Sequence, residues 1–451
     1  MMRLSWRSIP WHLVAETGVL LLAASLLFPL QVPVVTLAAL GGLVLVWGLA
    51  LLRKPHAMPV TSLNGAMLAW AIMVGVGIAV TSHPDRTLSK ATGLLLGLAI
   101  WRYVILFVDR PSRLRWAWAG LAGLGVILIV VGALGTQWSS KIPYVQPLVA
   151  WLPSSLVMLP EAPELGINAN QLAGVLAFFL PLTLGALLPR GSSSRHGGVS
   201  LPVVLAAGSA LVVLTVLLVL TQSRSGWAGA VLGSAVVIVV VAWTRKTRGW
   251  RLVGWSTVTC VSVLAVLVFF WIGQRSLSAL LQAPEGLASG LGTLSLSGRV
   301  EIWTRALYAI QDFSLTGCGL GSFREIVWAL YPLFRVPPGW DIAHAHNIFL
   351  QVAVDVGIPG LVAYLALLIL ALGAGLRVAK EQARALPGAS YRAASLVGAL
   401  VGLHIYGLAD ALAPGSRPAL VYWVVLGLLA ALDRIYGQAP SSASGTSVTA
   451  V

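Results

Sequence analysis

Two histidines in the run His344-Ala345-His346-Asn347 stand ahead of a strongly apolar stretch, and Gly357-Ile358-Pro359-Gly360 follows after nine intervening residues. Imidazole is the side chain best suited to moving protons near neutral pH, so this run puts a candidate general base at the mouth of a membrane helix. Two arginines stand out beside it. Arg224, in Thr221-Gln222-Ser223-Arg224-Ser225-Gly226, occupies a tight turn between two apolar runs, on the side where the positive-inside rule disfavours a cation. Arg299 lies on an amphipathic segment. Two guanidinium groups and one imidazole near one membrane face are a set that can bind a pyrophosphate and deprotonate a hydroxyl. Taken singly, each has a plainer explanation: Arg224 can snorkel to the headgroups, Arg299 can sit on the wet face of its helix, and His346 can be a hydrogen-bonded helix-start residue. His344-x-His346 with Asp341 nearby could bind zinc, but spacing fixes no third ligand, so no metal and no cofactor is assigned.

The elements that must position these groups are membrane helices. Hydrophobic residues make up 58% of the 451 and charged residues only 10%, a balance foreign to soluble domains, and apolar runs of about 20 residues recur from end to end. The sequence therefore predicts an all-α polytopic membrane protein with about twelve spans. These fall near 13–30, 33–52, 63–81, 90–108, 116–135, 167–188, 201–221, 225–243, 252–272, 355–376, 391–411 and 418–435. The first run follows Arg3 and Arg7 and reads as a retained signal anchor. The net charge of +15 does not indicate nucleic acid, because the basic residues sit between spans rather than in one patch. Arg53-Lys54, the 109–115 run, Arg190 with Arg195, the 244–248 run and the 377–392 segment share one side if the spans alternate. The positive-inside rule makes that side cytoplasmic, with both termini there, while Asp85, Glu161, Glu164, Glu285, Glu301, Asp312, Glu325, Asp341 and Asp355 collect opposite.

The expected organisation is a transmembrane domain over 1–437, a large external helical loop over 273–354 between the ninth and tenth spans, and a disordered Ser/Thr/Ala-rich tail over 438–451. A smaller external segment, 136–166, carries Trp138 and Trp151 and should lie along the interface. In the large loop Ser297 can cap a helix running to Phe313, and a second amphipathic piece runs from Phe323 to Tyr331 before Pro332. Gly317-Cys318-Gly319-Leu320-Gly321 joins them; without a preceding strand or a following Lys-Ser/Thr it reads as a plain flexible turn rather than a phosphate loop. Lys90, Arg305, Arg335 and Arg417 read as surface or interfacial charges, and Glu16 with Arg102 as a snorkelling or mutually paired set. His404, Tyr406 and Asp410 fall in the outer half of the eleventh span, where polar groups usually face a cavity. Cys260 and Cys318 suggest no disulfide framework.

These motifs resemble the O-antigen ligase and O-antigen polymerase superfamily of bacterial membrane glycosyltransferases. The resemblance is carried by 221–226, by Gly298-Arg299-Val300-Glu301-Ile302-Trp303 with 317–323 after it, and by 344–351 leading to Gly357-Ile358-Pro359-Gly360, within roughly 160–375. It implies metal-independent, inverting transfer of a glycan from a polyprenyl-pyrophosphate carrier to an acceptor hydroxyl at the external face of the plasma membrane. Under it Arg224 and Arg299 hold the pyrophosphate, His346 is the base, and His344, Asn347 and Asp410 are supporting residues. Ligase, polymerase and protein O-oligosaccharyltransferase share this chemistry and differ in the lipid, glycan or protein acceptor. A twelve-helix transporter remains the reading from another class, although its polar residues should gather at the bilayer midplane and its halves should echo one another.

Overall fold

The computed structural model describes residues 11, 13–18, 20, 33–53, 60–136, 138, 145–153, 168–188, 201–245, 247–282, 296–336, 341–383 and 385–437. Its helices are α1 (Pro33–Arg53), α2 (Asn64–Ala79), α3 (Pro84–Phe107), α4 (Pro111–Gly135), the short α5 (Gln146–Ala150), α6 (Ala169–Leu187), α7 (Leu201–Thr221), α8 (Arg224–Arg245), α9 (Arg248–Gln282), α10 (Leu296–Asp312), α11 (Phe323–Leu330), α12 (Ile348–Glu381), α13 (Pro387–Tyr406) and α14 (Leu420–Tyr436). No strand occurs among the described residues. By length and apolarity seven helices can cross a membrane: α3, α4, α6, α7, α8, α12 and the stretch Arg417–Tyr436. Gly41–Arg53 and α2 are shorter apolar helices. The all-helical membrane class stands, and the described residues support seven of the twelve expected spans on those two criteria. The tail from 438, most of 139–167, and Arg190 and Arg195 lie outside the described residues.

The centre of the bundle is α6, α8 and α13, packed through small residues. A Cβ on Gly229 would lie 2.5 Å from the Gly402 carbonyl oxygen, and one on Gly233 2.6 Å from that of Gly398, so α8 and α13 approach backbone to backbone. This is how helices gain van der Waals contact where lipid gives no hydrophobic drive to associate. Of the two readings for Glu16 and Arg102, snorkelling or mutual pairing, the structure shows the pair at 2.5 Å, with Trp47 donating to the same carboxylate and the guanidinium over its ring.

Contacts sort the helix ends into two groups. Gly77 at the end of α2, Lys90 near the start of α3, Gly174 of α6, Gly229 of α8, the start of α12 and the end of α13 come together at one end. At the other end Arg434 donates to the carbonyls of Ile105 and Val108, Arg377 pairs with Asp433, and the Arg245 guanidinium covers Tyr391.

Several expectations need correction. Helix α12 begins at Ile348, ahead of the apolar run expected from 355, because Asn347 caps it by accepting from the backbone N–H groups of Phe349 and Leu350. α12 is broken at Gly357 (φ 74°), where Ile358 N–H donates to the Ser314 carbonyl at 2.7 Å instead of to its own helix. Ser297 lies inside α10 rather than ahead of it.

The Gly317–Gly321 segment is no flexible turn. Its three glycines all take left-handed φ values, and a Cβ on Gly317 would lie 2.6 Å from the Val356 nitrogen. Cys318 N–H donates to Val354 O at 2.7 Å, Leu320 N–H to Gly77 O at 3.0 Å, and Gly321 N–H to Asp355 Oδ1 at 3.1 Å. Lys90, expected at the surface, pairs with that same buried Asp355. Close backbone packing rather than conformational freedom explains the glycines.

Candidate functional site

The site is built where α10, the start of α12 and the loop after α13 meet. Asn347 does more than cap α12: its amide donates to Leu408 O at 3.0 Å while Ile348 N–H donates to Gly407 O at 2.7 Å, tying the histidine loop to the end of α13. Ala345 N–H donates to the Gln351 side chain at 2.7 Å, and Trp303 Nε1–H of α10 donates to His346 O at 3.3 Å. These tethers hold His346 at φ 48°, a left-handed conformation that costs a non-glycine residue of order 1–3 kcal/mol.

Asp410 is the hub. The sequence reading placed it on a span, yet α13 ends at Tyr406 and the carboxylate sits in the following loop, 2% exposed. His346 Nδ1 lies 3.6 Å from Asp410 Oδ1, His344 Nε2 lies 3.9 Å from the same oxygen, and Arg299 Nη2 lies 4.0 Å from Oδ2. The two imidazole rings are 4.3 Å apart, and His346 N–H donates to His344 Nδ1 at 3.2 Å. That bond leaves the His344 proton on Nε2, towards Asp410. Burial, then the neighbouring His346, pushes the His344 imidazole down to about 3, so it is neutral. Burial alone would raise the Asp410 carboxyl, but His346, His344 and Arg299 outweigh it and hold Asp410 below the usual carboxylate range.

Polar atoms without a hydrogen-bond partner in the protein gather here. Arg299 Nε, His346 Nδ1, Asp410 Oδ2 and the Tyr406 hydroxyl are all buried and all lack one. Tyr406 stands close enough to interact electrostatically with both Asp410 and Arg299. Buried polar groups are almost always satisfied, so such a concentration marks groups poised for something other than the fold.

The structure thus brings His344, His346, Asn347, Arg299 and Asp410 together. It does not bring Arg224 into contact with them: Arg224 is exposed at the first residue of α8 and has no protein partner among the described residues, although Gly229, farther along α8, packs against Tyr406. His404 is not a cavity residue, since its Nδ1 faces Leu400 O at 2.7 Å and its Nε2 faces the Tyr364 hydroxyl at 2.9 Å. Asp341 pairs with Arg324 at 2.8 Å rather than standing with the histidines. Trp303 and Gln351 received no role from sequence, though both lie within the motifs; a tethering role emerges only from partners 43 and 6 residues away.

No curated protein matches the chain. Residues 209–365 match the family model described as O-antigen ligase, a stretch that holds Arg224, Arg299, His344, His346 and Asn347 but ends short of Asp410. That match supports the likeness to the O-antigen ligase superfamily over this stretch of the chain, and the family suggests glycan transfer in a membrane.

Proposed function

We propose that this protein transfers a glycan from a polyprenyl-pyrophosphate carrier to an acceptor hydroxyl at the external face of the plasma membrane. The observation that carries the reading is the convergence of a base, a buried carboxylate and a guanidinium, each with an unpartnered polar atom, at one end of the bundle. That end is opposite the Arg377, Arg434 and Arg245 group, which favours the external side under the positive-inside rule. A transporter would place such groups at the midplane.

With Nδ1–H turned to Asp410, His346 keeps Nε2 free to take the acceptor's proton. The hydroxyl oxygen bonds to the anomeric carbon as the carbon–oxygen bond to the pyrophosphate breaks, inverting that carbon. Asp410 stabilises the imidazolium that forms. Charge developing on the departing pyrophosphate falls to Arg299, whose planar fork suits phosphate oxygens, and to Arg224 at a helix N-terminus, itself favourable to anions. None of these steps calls on a metal or cofactor.

Ligase-type transfer of a finished glycan to a lipid acceptor is the reading that follows the matched family. Deleting the protein from its host tests it: full-length lipid-linked glycan should accumulate, whereas accumulation of single units would indicate a polymerase. Unchanged lipid-linked glycan would remove the proposal.

A further inference from the structure

The sequence fixes two histidines two residues apart but no third ligand; the structure provides one in Asp410, from a loop more than sixty residues away in the chain. One ligand atom from each of His344, His346 and Asp410 lies within 4.8 Å of the others. Zinc bonds of about 2.0–2.2 Å in a tetrahedron put ligand atoms roughly 3.3–3.5 Å apart. The 3.6 and 3.9 Å separations to Asp410 Oδ1 therefore need contraction of only a few tenths of an ångström, and the two histidine nitrogens, within 4.8 Å of each other, must also close to that spacing. Both side chains keep some exposure, 15% for His344 and 18% for His346, and the buried His346 Nδ1 has no hydrogen-bond partner in the protein.

We propose that His344, His346 and Asp410 form an inhibitory Zn2+ site, in which the ion captures the base itself. Coordination through His346 Nδ1 leaves that ring's proton on Nε2, the tautomer opposite to the one a general base needs, and takes the Asp410 oxygen that would orient it. His344, coordinating through Nε2, gives up the weak bond its Nδ1 accepts from His346 N–H. Arg299 opposes the site, because its guanidinium lies 4.0 Å from Asp410 and repels a divalent cation. The site is therefore one that traps the resting enzyme at elevated zinc and is cleared by a chelator. The inhibition rests on the proposed role of His346; the binding does not.

The test uses full-length protein purified in detergent without a polyhistidine tag and stripped with a chelator. Zn2+ is titrated by calorimetry, with the visible absorption of bound Co2+ as a second readout, and no donor or acceptor is present. One Zn2+ per chain should bind; His344→Gln and Asp410→Asn should each weaken it at least tenfold, and Arg299→Gln should strengthen it. Transfer by the parent protein should fall with zinc in step with occupancy and recover on chelation. Failure to bind stoichiometrically, or binding indifferent to His344→Gln, overturns the site even if Asp410→Asn does not fold. Binding without inhibition, or zinc that accelerates transfer, overturns the inhibitory role. A His346→Ala variant that still transfers would instead remove the base assignment, leaving the calorimetric result standing.

Discussion

Asp355 and Asp410 are both buried carboxylates at the same end of the bundle, 4% and 2% exposed, yet their surroundings are of opposite kinds. Asp355 is fully engaged: Lys90 pairs with one oxygen and Gly321 N–H with the other, while neighbouring backbone bonds lock the glycine turn onto α12. Asp410 has one short bond, from Ala411 N–H at 2.8 Å, and faces His346, His344 and Arg299 at 3.6–4.0 Å, all beyond hydrogen-bond reach. A satisfied buried ion pair positions the chain, whereas a loose one leaves its groups free to engage a substrate. The first clamps the frame that carries Arg299 and His346; the second is the carboxylate to which the proposed function gives a part in the chemistry.

The largest expected effect falls on the Asp410 side of the comparison, at the proposed base. His346→Ala should lower transfer by about a hundredfold to ten-thousandfold, the range of a general base, with the unfolding midpoint and donor binding little changed. His344→Ala should lose less. Equal losses from the two would remove the distinct role of His346.

Asp355→Ala should show the reverse pattern. Removing one partner of a buried pair leaves the other charge uncompensated, at a cost of about 3–5 kcal/mol, read by denaturation of the detergent-solubilised protein. Lys90→Met should do the same from the other side. If either variant kept its stability and lost only activity, Asp355 would move from the frame to the site.

Arg299→Lys sharpens the comparison further. If the guanidinium grips pyrophosphate through paired hydrogen bonds, an ammonium should cost about 1.5–3 kcal/mol of donor binding, roughly tenfold to a hundredfold. Arg224→Lys should follow it, and Arg335→Lys, on an exposed side chain, should not. Near-normal donor binding and transfer in both variants would sink the clamp.

The smallest effect is on pH-dependent stability. His344 is held neutral in the folded protein down to about 3, while the unfolded chain takes up its proton near the ordinary 6.5. The unfolded state thus binds more protons between those values, and stability should decline as pH falls from about 6.5 towards 3. Asp410, whose folded value is depressed, adds its own loss lower still, below the ordinary carboxylate range. His344→Gln should flatten the upper part of the unfolding-midpoint profile; an unchanged slope would mean that His344 does not carry it.

Helical membrane class, the α10 and α11 segments and the His344-to-Asn347 motif were legible in the sequence because each rests on local signals: apolar runs, helical periodicity and a cap residue beside its helix. The pairing of Glu16 with Arg102 was legible as one of two alternatives, since two opposite charges in apolar runs must find each other or reach water. What the tertiary structure alone decided is long-range. Asp410 becomes the hub because Asn347 and Ile348 are hydrogen-bonded to the turn after α13, roughly sixty residues on. The Gly317–Gly321 turn is rigid because three helices close on it, although glycine in isolation signals freedom. Lys90 became a frame residue through a partner 265 residues away, which no spacing rule within one helix can reveal. Local patterns determine which elements form and what chemistry they carry, while packing decides which charges are satisfied and which remain available to react.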